Sequence, residues 1–126
     1  MSYTNGLDDP TEYFETLTWS GNSTDDRAIS GLDFAPDWVW IKCRNNGQNH
    51  NLFDTVRSAT KSLETNNSNA EATDATSLKS FTSDGYTLGT GATVNSSSPS
   101  TKTYVSWNWK AGGSASNNTD GGITSS

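Results

Sequence analysis

Two segments whose side chains alternate with a period of two constrain the fold more than any other feature of this chain. Residues 38–44 read Trp-Val-Trp-Ile-Lys-Cys-Arg, and residues 103–110 read Thr-Tyr-Val-Ser-Trp-Asn-Trp-Lys. Because successive side chains of a β-strand point to opposite faces, each segment predicts a strand. Residues 38–44 are largely apolar on both faces, which favours a central strand covered on both sides.

The composition predicts a β-fold with a thin core. Ser, Thr and Asn make up about 40% of the 126 residues, and these side chains favour turns, caps and strand surfaces over helix interiors. Only 30% of the residues are hydrophobic, but the chain has five Trp, four Tyr and four Phe. Each aromatic ring can bury roughly 150–250 Å². We therefore expect a folded chain whose core depends on aromatic side chains, and not a disordered one.

Weaker strand signals, separated by turn signals, fill the rest of the chain. They cover residues 13–20, 27–34, 50–57, 61–63 and 78–89, the last as two short strands around the Asp84-Gly85 turn. Residues 64–77 read as a loop. Several short strands at this spacing predict an all-β fold, an antiparallel β-sandwich over residues 13–111. Residues 1–12 are predicted to be a polar N-terminal arm, and residues 112–126 a flexible linker or tail.

Two blocks of the chain carry a resemblance to a known family. Residues 36–42 read Pro-Asp-Trp-Val-Trp-Ile-Lys, and residues 107–113 read Trp-Asn-Trp-Lys-Ala-Gly-Gly. With them, residues 13–113 resemble a concanavalin- or laminin-G-like β-sandwich module of virion structural and tail-fibre proteins of marine tailed phages. The resemblance implies a jelly-roll sandwich located in a virion. The chain departs from the family at Ser58, where the module often has Gly after Arg, and this difference concerns one local turn.

The charge pattern excludes several classes of partner. The net charge of −6 comes from 14 acidic and 8 basic residues, and the basic residues are spread along the chain. Binding to a phosphate backbone requires clustered basic residues, so no nucleic-acid partner is expected. No apolar window approaches the length of a transmembrane span, so membrane insertion is not expected. The single Cys43 cannot form an internal disulfide, and it is interpreted as a small buried residue on a strand.

The chain offers no convincing catalytic set, and we expect it not to be an enzyme. His50 is the one histidine, and it could join Asp54 and a serine in a triad, but no Gly-x-Ser-x-Gly elbow marks a nucleophile. An Asp54–Arg57 ion pair is predicted, with no function attached to it. The carboxylate pairs that a glycosidase would use lie at turns or in the arm, where Asp is common in any case. These pairs are Asp8/Asp9, Asp25/Asp26 and Asp33/Asp37.

No cofactor is expected, and Ca²⁺ is the one metal for which the loops offer donors. Ca²⁺ binds several oxygen ligands, and the resemblance to concanavalin-like folds implies that such a site could exist. The loop donors are Asn22, Asp25, Asp26 and Asp84. No Asp-x-Asp-x-Asp-Gly pattern connects them, so they are interpreted as solvated turn residues. Zinc is excluded in practice by a chain with one Cys and one His.

The tryptophans fall into two groups. Trp19 stands beside the Ser20-Gly21-Asn22 turn and is interpreted as either a core or a rim residue. If it is exposed, Trp19, Asn22 and Asp25 together form a candidate contact site for a glycan or a protein partner. The other four tryptophans lie on the two strongest strands and are interpreted as core residues: they are Trp38, Trp40, Trp107 and Trp109.

The resemblance and the missing catalytic set lead to one prediction of function. The protein is expected to be a bacteriophage virion structural protein, a tail or fibre component or a capsid decoration. It would act through assembly with other virion proteins and as a homo-oligomer. The alternative is a carbohydrate-binding module that attaches the particle to a host-surface glycan. A hydrolase domain is a third hypothesis, which depends on the scattered carboxylates alone.

Overall fold

The computed structural model describes residues 12–111 of the chain. The predicted linker, residues 112–126, and all of the predicted arm except Glu12 lie outside the described residues. The strands, in chain order, are β1 (Phe14–Ser20), β2 (Arg27–Ile29), β3 (Trp38–Cys43), β4 (Asn51–Asp54), β5 (Lys61–Glu64), β6 (Ala72–Thr73), β7 (Leu78–Thr82), β8 (Gly85–Leu88) and β9 (Thr103–Trp109). The described chain contains no helix that is long and apolar enough to cross a lipid bilayer.

The strands form two antiparallel sheets. The larger sheet has six strands in the order β1-β9-β3-β4-β5-β6, and the smaller has three in the order β2-β8-β7. Strand β9 lies between β1 and β3, and its register with β1 runs without a break from Phe14 opposite Trp109 to Ser20 opposite Thr103. The prediction of an all-β, antiparallel fold is confirmed.

The core lies between the two sheets, which makes the fold a β-sandwich, as predicted. Tyr86 of β8 donates a hydrogen bond from its hydroxyl to Ser106 Oγ of β9 over 2.5 Å, which joins the sheets directly. Trp19 packs its ring at 6.1 Å from that of Tyr86. The larger sheet contributes Trp19, Val39, Ile41, Cys43, Phe53 and Tyr104 to the core, the smaller sheet contributes Ile29, Leu78, Tyr86 and Leu88, and Val94 comes from the segment before β9. Cys43 is buried and free, as predicted.

Most strands lie within the segments that the sequence predicts, with three differences. The segment 50–57 forms a strand over Asn51–Asp54 alone, and residues 55–57 form a turn. The segment 27–34 forms a strand over Arg27–Ile29 alone, because the backbone turns at Gly31, whose φ of 111° only glycine adopts readily. The predicted loop 64–77 contains the short strand β6.

The predicted Asp54–Arg57 ion pair is present, and it anchors the segment that contains β6. Arg57 Nε lies 2.7 Å from Asp54 Oδ2, and Arg57 Nη1 lies 3.0 Å from Glu71 Oε1. The same guanidinium donates to the carbonyl oxygens of Leu52 and Lys61. One arginine therefore links β4, β5 and the chain just before β6.

Candidate functional site

The face of the six-stranded sheet that points away from the core carries a cluster of aromatic rings, which we call the aromatic face. Alternate residues of three adjacent strands supply it, because the residues between them point into the core. Within residues 12–111, no second layer of strands covers this side of the sheet. Its rings are Phe14 of β1, Trp107 and Trp109 of β9, and Trp38 and Trp40 of β3.

The strand register brings these rings into contact. Trp109 lies opposite Phe14 on one side and opposite Trp38 on the other, and Trp107 lies opposite Trp40. The ring centroids are 4.8 Å apart for Phe14 and Trp109, 4.1 Å for Trp38 and Trp109, and 5.2 Å for Trp40 and Trp107. Such pairs contribute about 0.5–1.5 kcal/mol each beyond the area that they bury. The contacts between the rings therefore stabilise the arrangement of the cluster.

The prediction that these four tryptophans are core residues is wrong. Each is half-buried in the described structure, and Phe14 beside them is 37% exposed. The cause is visible on β9, where Tyr104, Ser106 and Asn108 are the fully buried residues. Ser106 Oγ accepts from the Tyr86 hydroxyl, and the Asn108 amide donates to the Glu15 carbonyl. The side of β9 with the polar residues therefore faces the core, and its tryptophans point outward.

The same placement corrects the prediction that β3 is covered on both sides. Val39 and Ile41 are fully buried, whereas Trp38 and Trp40 retain solvent contact. The described residues cover one face of β3, and the aromatic face is the other.

The rings of the aromatic face are tilted against one another. Their interplanar angles are 47° for Phe14 and Trp109, 71° for Trp38 and Trp109, 44° for Trp40 and Trp107, and 58° for Trp38 and Trp40. Edge-to-face packing of this kind exposes ring edges and corners as well as ring faces. The surface is consequently uneven, with shallow hollows between rings, and is not a flat stacking platform.

A shallow apolar pocket lies at one end of the aromatic face. Trp38, Trp109, Lys110 and Ala111 line it. Asp37 fixes its geometry, because Asp37 N donates to the Trp109 carbonyl over 2.9 Å and Asp37 Oδ2 accepts from Ala111 N over 2.8 Å. Asp37, which directly precedes β3, therefore joins this end of the face to the end of β9 through both its backbone and its carboxylate.

Polar groups border the aromatic face and leave its centre apolar. The Trp40 indole donates to Thr65 Oγ1 over 3.0 Å. Lys42 turns its ammonium to the carbonyls of Cys43 and Asn46 at one end, and Lys110 lies 5.8 Å from the centre of the Tyr13 ring at the other. An apolar centre with a polar border is the arrangement found in protein interfaces.

The three predicted contact residues do not form a site together. Trp19 lies in the core at 9% exposure, and its indole donates to the Val94 carbonyl over 2.9 Å. It is a core residue, so the hypothesis that it stacks on a ligand is wrong. Asn22 is exposed, but its side-chain oxygen accepts from Thr24 N within a turn. Asp25 is exposed and paired with Lys79 over 3.0 Å.

Sequence reasoning missed the residue that organises this loop, Asn95. Its side-chain oxygen accepts from Asn22 N over 3.1 Å and from Arg27 Nη1 over 3.0 Å. Its amide donates to the carbonyls of Thr24 and Gly89. Asn95 is fully buried, and one Asn among many in a polar segment gives no signal of that role.

The structure does not assemble the candidate catalytic pair. His50 immediately precedes β4 and Asp54 ends it, so the two lie about 13 Å apart along an extended strand. Asp54 is held by Arg57, and the backbone N–H of His50 donates to Asn66 Oδ1. A direct hydrogen bond between His50 and Asp54 is therefore not available.

Three of the four predicted calcium donors have other partners: Asn22, Asp25 and Asp26. The Lys79 ammonium bridges Asp25 and Asp26 at 3.0 and 2.5 Å, and its hydrogen bond lowers the pKa of Asp25 below the ordinary value. Asp84 lies in the β7–β8 turn, where its backbone carbonyl accepts a hydrogen bond from Leu32 N. Among residues 12–111, no group of three or more His, Cys, Asp or Glu side chains is placed to hold a metal ion.

These observations define the chain as an all-β sandwich protein with an aromatic surface on its larger sheet. Residues 9–126 match a family described as a domain of unknown function, DUF7483. The chain belongs to this family, and the match includes residues 112–126, which composition alone assigns to a linker. No curated protein and no solved structure matches the chain.

Proposed function

We propose that this protein is a structural component of a bacteriophage virion, in the tail, a fibre or the capsid decoration, and that it acts by binding other proteins and not by catalysis. The observation that carries the assembly role is the aromatic face, with its five clustered rings open to solvent. The virion location comes from the resemblance of residues 13–113 to modules of phage structural proteins.

The proposed occupant of the aromatic face is an apolar surface of a neighbouring protein subunit. Trp and Phe are enriched at the centres of protein interfaces, and Trp is frequent among the residues that dominate binding energy. The pocket between Trp38 and Trp109 has the shape to receive one aliphatic or aromatic side chain from that subunit. Lys42 and Lys110 at the two ends favour a partner with carboxylates at the matching positions.

The alternative function, carbohydrate binding, is favoured by one observation, the exposed indole rings. A sugar stacks on the flat face of an aromatic ring, however, and the angles of 44° to 71° within the cluster leave few faces free. With Trp19 in the core, the Asn22–Asp25 loop also lacks the ring that such a site needs. A glycan screen with saturable binding that Trp107→Ala abolishes would establish this alternative in place of the protein partner.

The first test is mass spectrometry with copy-number quantification on purified particles from the source of the chain. Abundant peptides from this protein would support the virion location. A copy number in the hundreds would indicate capsid decoration, and a few to tens would indicate a tail or fibre, because closed symmetric assemblies fix the numbers of their subunits. Absence from the particles would overturn the proposal.

A matched pair of variants tests the role of the aromatic face. Trp109→Ser removes the ring that contacts both Phe14 and Trp38, and we expect at least a tenfold lower incorporation into particles with an unchanged far-ultraviolet circular dichroism spectrum. Val56→Ser is the control, because Val56 is 85% exposed but is not part of the ring cluster. Equal incorporation of the two variants would show that the aromatic face does not bind a partner.

A further inference from the structure

The edge of the six-stranded sheet at β1 presents backbone groups that no other described strand uses. In an antiparallel ladder, alternate residues direct both N–H and C=O to the neighbouring strand, and the residues between them direct both groups away from it. Lys110 N donates to the Tyr13 carbonyl, and Gly21 N donates to the Lys102 carbonyl. Odd-numbered residues of β1 therefore bond to β9, and Phe14, Thr16 and Thr18 direct their backbone groups outward.

This edge differs from the other three sheet edges within residues 12–111. Sheets are usually protected from edge-to-edge pairing by short strands, bulges or charges. Strand β6 has two residues and β2 has three. Strand β7 has an irregular register between Leu78 and Ser80, with Lys79 ion-paired at that point. Strand β1 has seven residues, regular pairing with β9 and no proline.

The outward-facing side of β1 is also uncharged. Its side chains are Phe14, Thr16, Thr18 and Ser20, all exposed. In a chain with a net charge of −6, this is a stretch where two copies can approach without repulsion between like charges. Glu15, the one charged residue of β1, points to the opposite face.

We infer that β1 pairs with β1 of a second copy of this chain, antiparallel about a two-fold axis at Thr16. This inference rests on the proposed assembly function and names one of its partners. The carbonyl of Ser20 already accepts a hydrogen bond from Arg27, so three outward residues remain, and Thr16 is the middle one. The pairing joins Phe14 to Thr18 of the second copy, Thr16 to Thr16, and Thr18 to Phe14.

The guanidinium of Arg27 lies at each end of this ladder, where it donates to the Ser20 carbonyl. The two six-stranded sheets merge into one of twelve strands. The two aromatic faces then become continuous through Phe14 of each copy.

Cysteine trapping tests both the pairing and its register. Residues opposite each other in a hydrogen-bonded antiparallel pair have Cα atoms about 5.5 Å apart, which a disulfide can span. We expect purified Thr16→Cys to form a covalent dimer on oxidation and Thr18→Cys to form no covalent dimer, because two Thr18 residues would lie about 13 Å apart along the ladder. Cys43, at 1% exposure, stays unreacted in both. A Thr16→Cys protein that does not cross-link, or cross-linking of both variants alike, would overturn the inference.

A charge exchange provides a second test that does not need a disulfide. Thr16→Lys and Thr16→Glu should each be monomeric in sedimentation equilibrium, because like charges meet at the axis. An equimolar mixture should recover a species of twice the 13.5 kDa chain mass. If the mixture stays monomeric while the unchanged chain dimerises, the contact lies elsewhere on the molecule.

These results can be separated from the test of the virion role. A chain that is abundant in particles but fails both pairing tests keeps its proposed function and loses the two-fold contact. In that case β1 pairs with a strand of another virion protein or remains an open edge. A chain that pairs through Thr16 but is absent from particles keeps the contact and loses the virion assignment.

Discussion

At the scale of single residues, Asn95 illustrates how a chain with few apolar side chains can hold its loops. It is fully buried and uses both its acceptor and its donor capacity, with Asn22 and Arg27 on the oxygen and Thr24 and Gly89 on the amide. A buried polar group is favourable only when its partners are present. The loop 21–26 and the end of β8 therefore depend on one side chain.

We expect Asn95→Ala to lower the free energy of unfolding by about 3 kcal/mol, because removal of the amide leaves several partner groups unsatisfied in the interior. Urea denaturation measures this change. Ser97→Ala is the control, since the Ser23–Ser97 hydroxyl contact is exposed and its loss should cost less than about 0.5 kcal/mol. Similar losses in the two variants would contradict the role assigned to Asn95.

Asp74 is expected to make the stability pH-dependent. Burial tends to raise the pKa of this carboxyl, but hydrogen bonds from Ser77 and Thr76 outweigh that effect and hold the pKa below the ordinary 3.8. The folded state therefore binds this proton more weakly than the unfolded chain does. The stabilisation is complete above the unfolded pKa and is lost as the pH falls through the lower folded value.

The urea midpoints of the unchanged chain and of Asp74→Asn should accordingly differ most near neutral pH and converge in strong acid, where Asp74 is protonated. Thr76→Val removes a hydroxyl that donates to Asp74 over 2.6 Å, so it should weaken the same pH dependence without removing the carboxyl. A constant midpoint difference from neutral to acidic pH would contradict this assignment.

At the scale of elements, the backbone of β8 at Gly85 approaches the backbone at the end of β2 so closely that no side chain fits between them. A Cβ atom at Gly85 would lie 1.8 Å from the Ile29 carbonyl oxygen, a distance that no relaxation of a side chain can relieve. We expect Gly85→Ala to destabilise the protein by about 2–3 kcal/mol, measured as a lower urea midpoint. Gly47→Ala is the control, because a Cβ atom at Gly47 meets nothing within 4 Å, and it should leave the midpoint nearly unchanged.

The sequence predicts a strand where side chains alternate clearly between two faces or where a turn signal separates two segments. Strands β3 and β9 lie within residues 38–44 and 103–110, and β7 and β8 flank the predicted Asp84-Gly85 turn. The irregular segment between β5 and β7 was not predictable, because its anchor is the contact of Arg57 with Glu71, which alternation does not encode.

Which face of a strand is buried could not be predicted in the same way. On β9 the tryptophan side is more apolar, yet the side with Ser106 and Asn108 is buried. The partners that permit this are distant in sequence: the hydroxyl of Tyr86 bonds Ser106, and the Asn108 amide donates to the Glu15 carbonyl. The candidate site was missed for this reason, since hydropathy assigns its tryptophans to the interior.

At the scale of the whole molecule, the fluorescence of the tryptophans provides a measure of assembly. Trp19 is in the core, and the other four lie half-buried on the aromatic face. We expect acrylamide to quench much of the fluorescence of the isolated chain, and a partner on the aromatic face to protect it and shift the emission to shorter wavelength. Trp19→Phe should leave the shift unchanged, whereas Trp107→Phe should reduce it. Identical quenching of isolated and assembled protein would contradict a covered aromatic face.

The contact between Tyr13 and Lys110 has a mechanical consequence. The chain enters β1 and leaves β9 at the same end of the sheet, where Lys110 N donates to the Tyr13 carbonyl over 2.8 Å. Tension applied between these two points loads the β1–β9 ladder as a zipper, one hydrogen-bonded pair at a time, and not in shear, where all pairs resist together. The strand would peel from Phe14 onward at low force. A pull on both connections would therefore remove the outermost ring of the aromatic face before it disturbed the core.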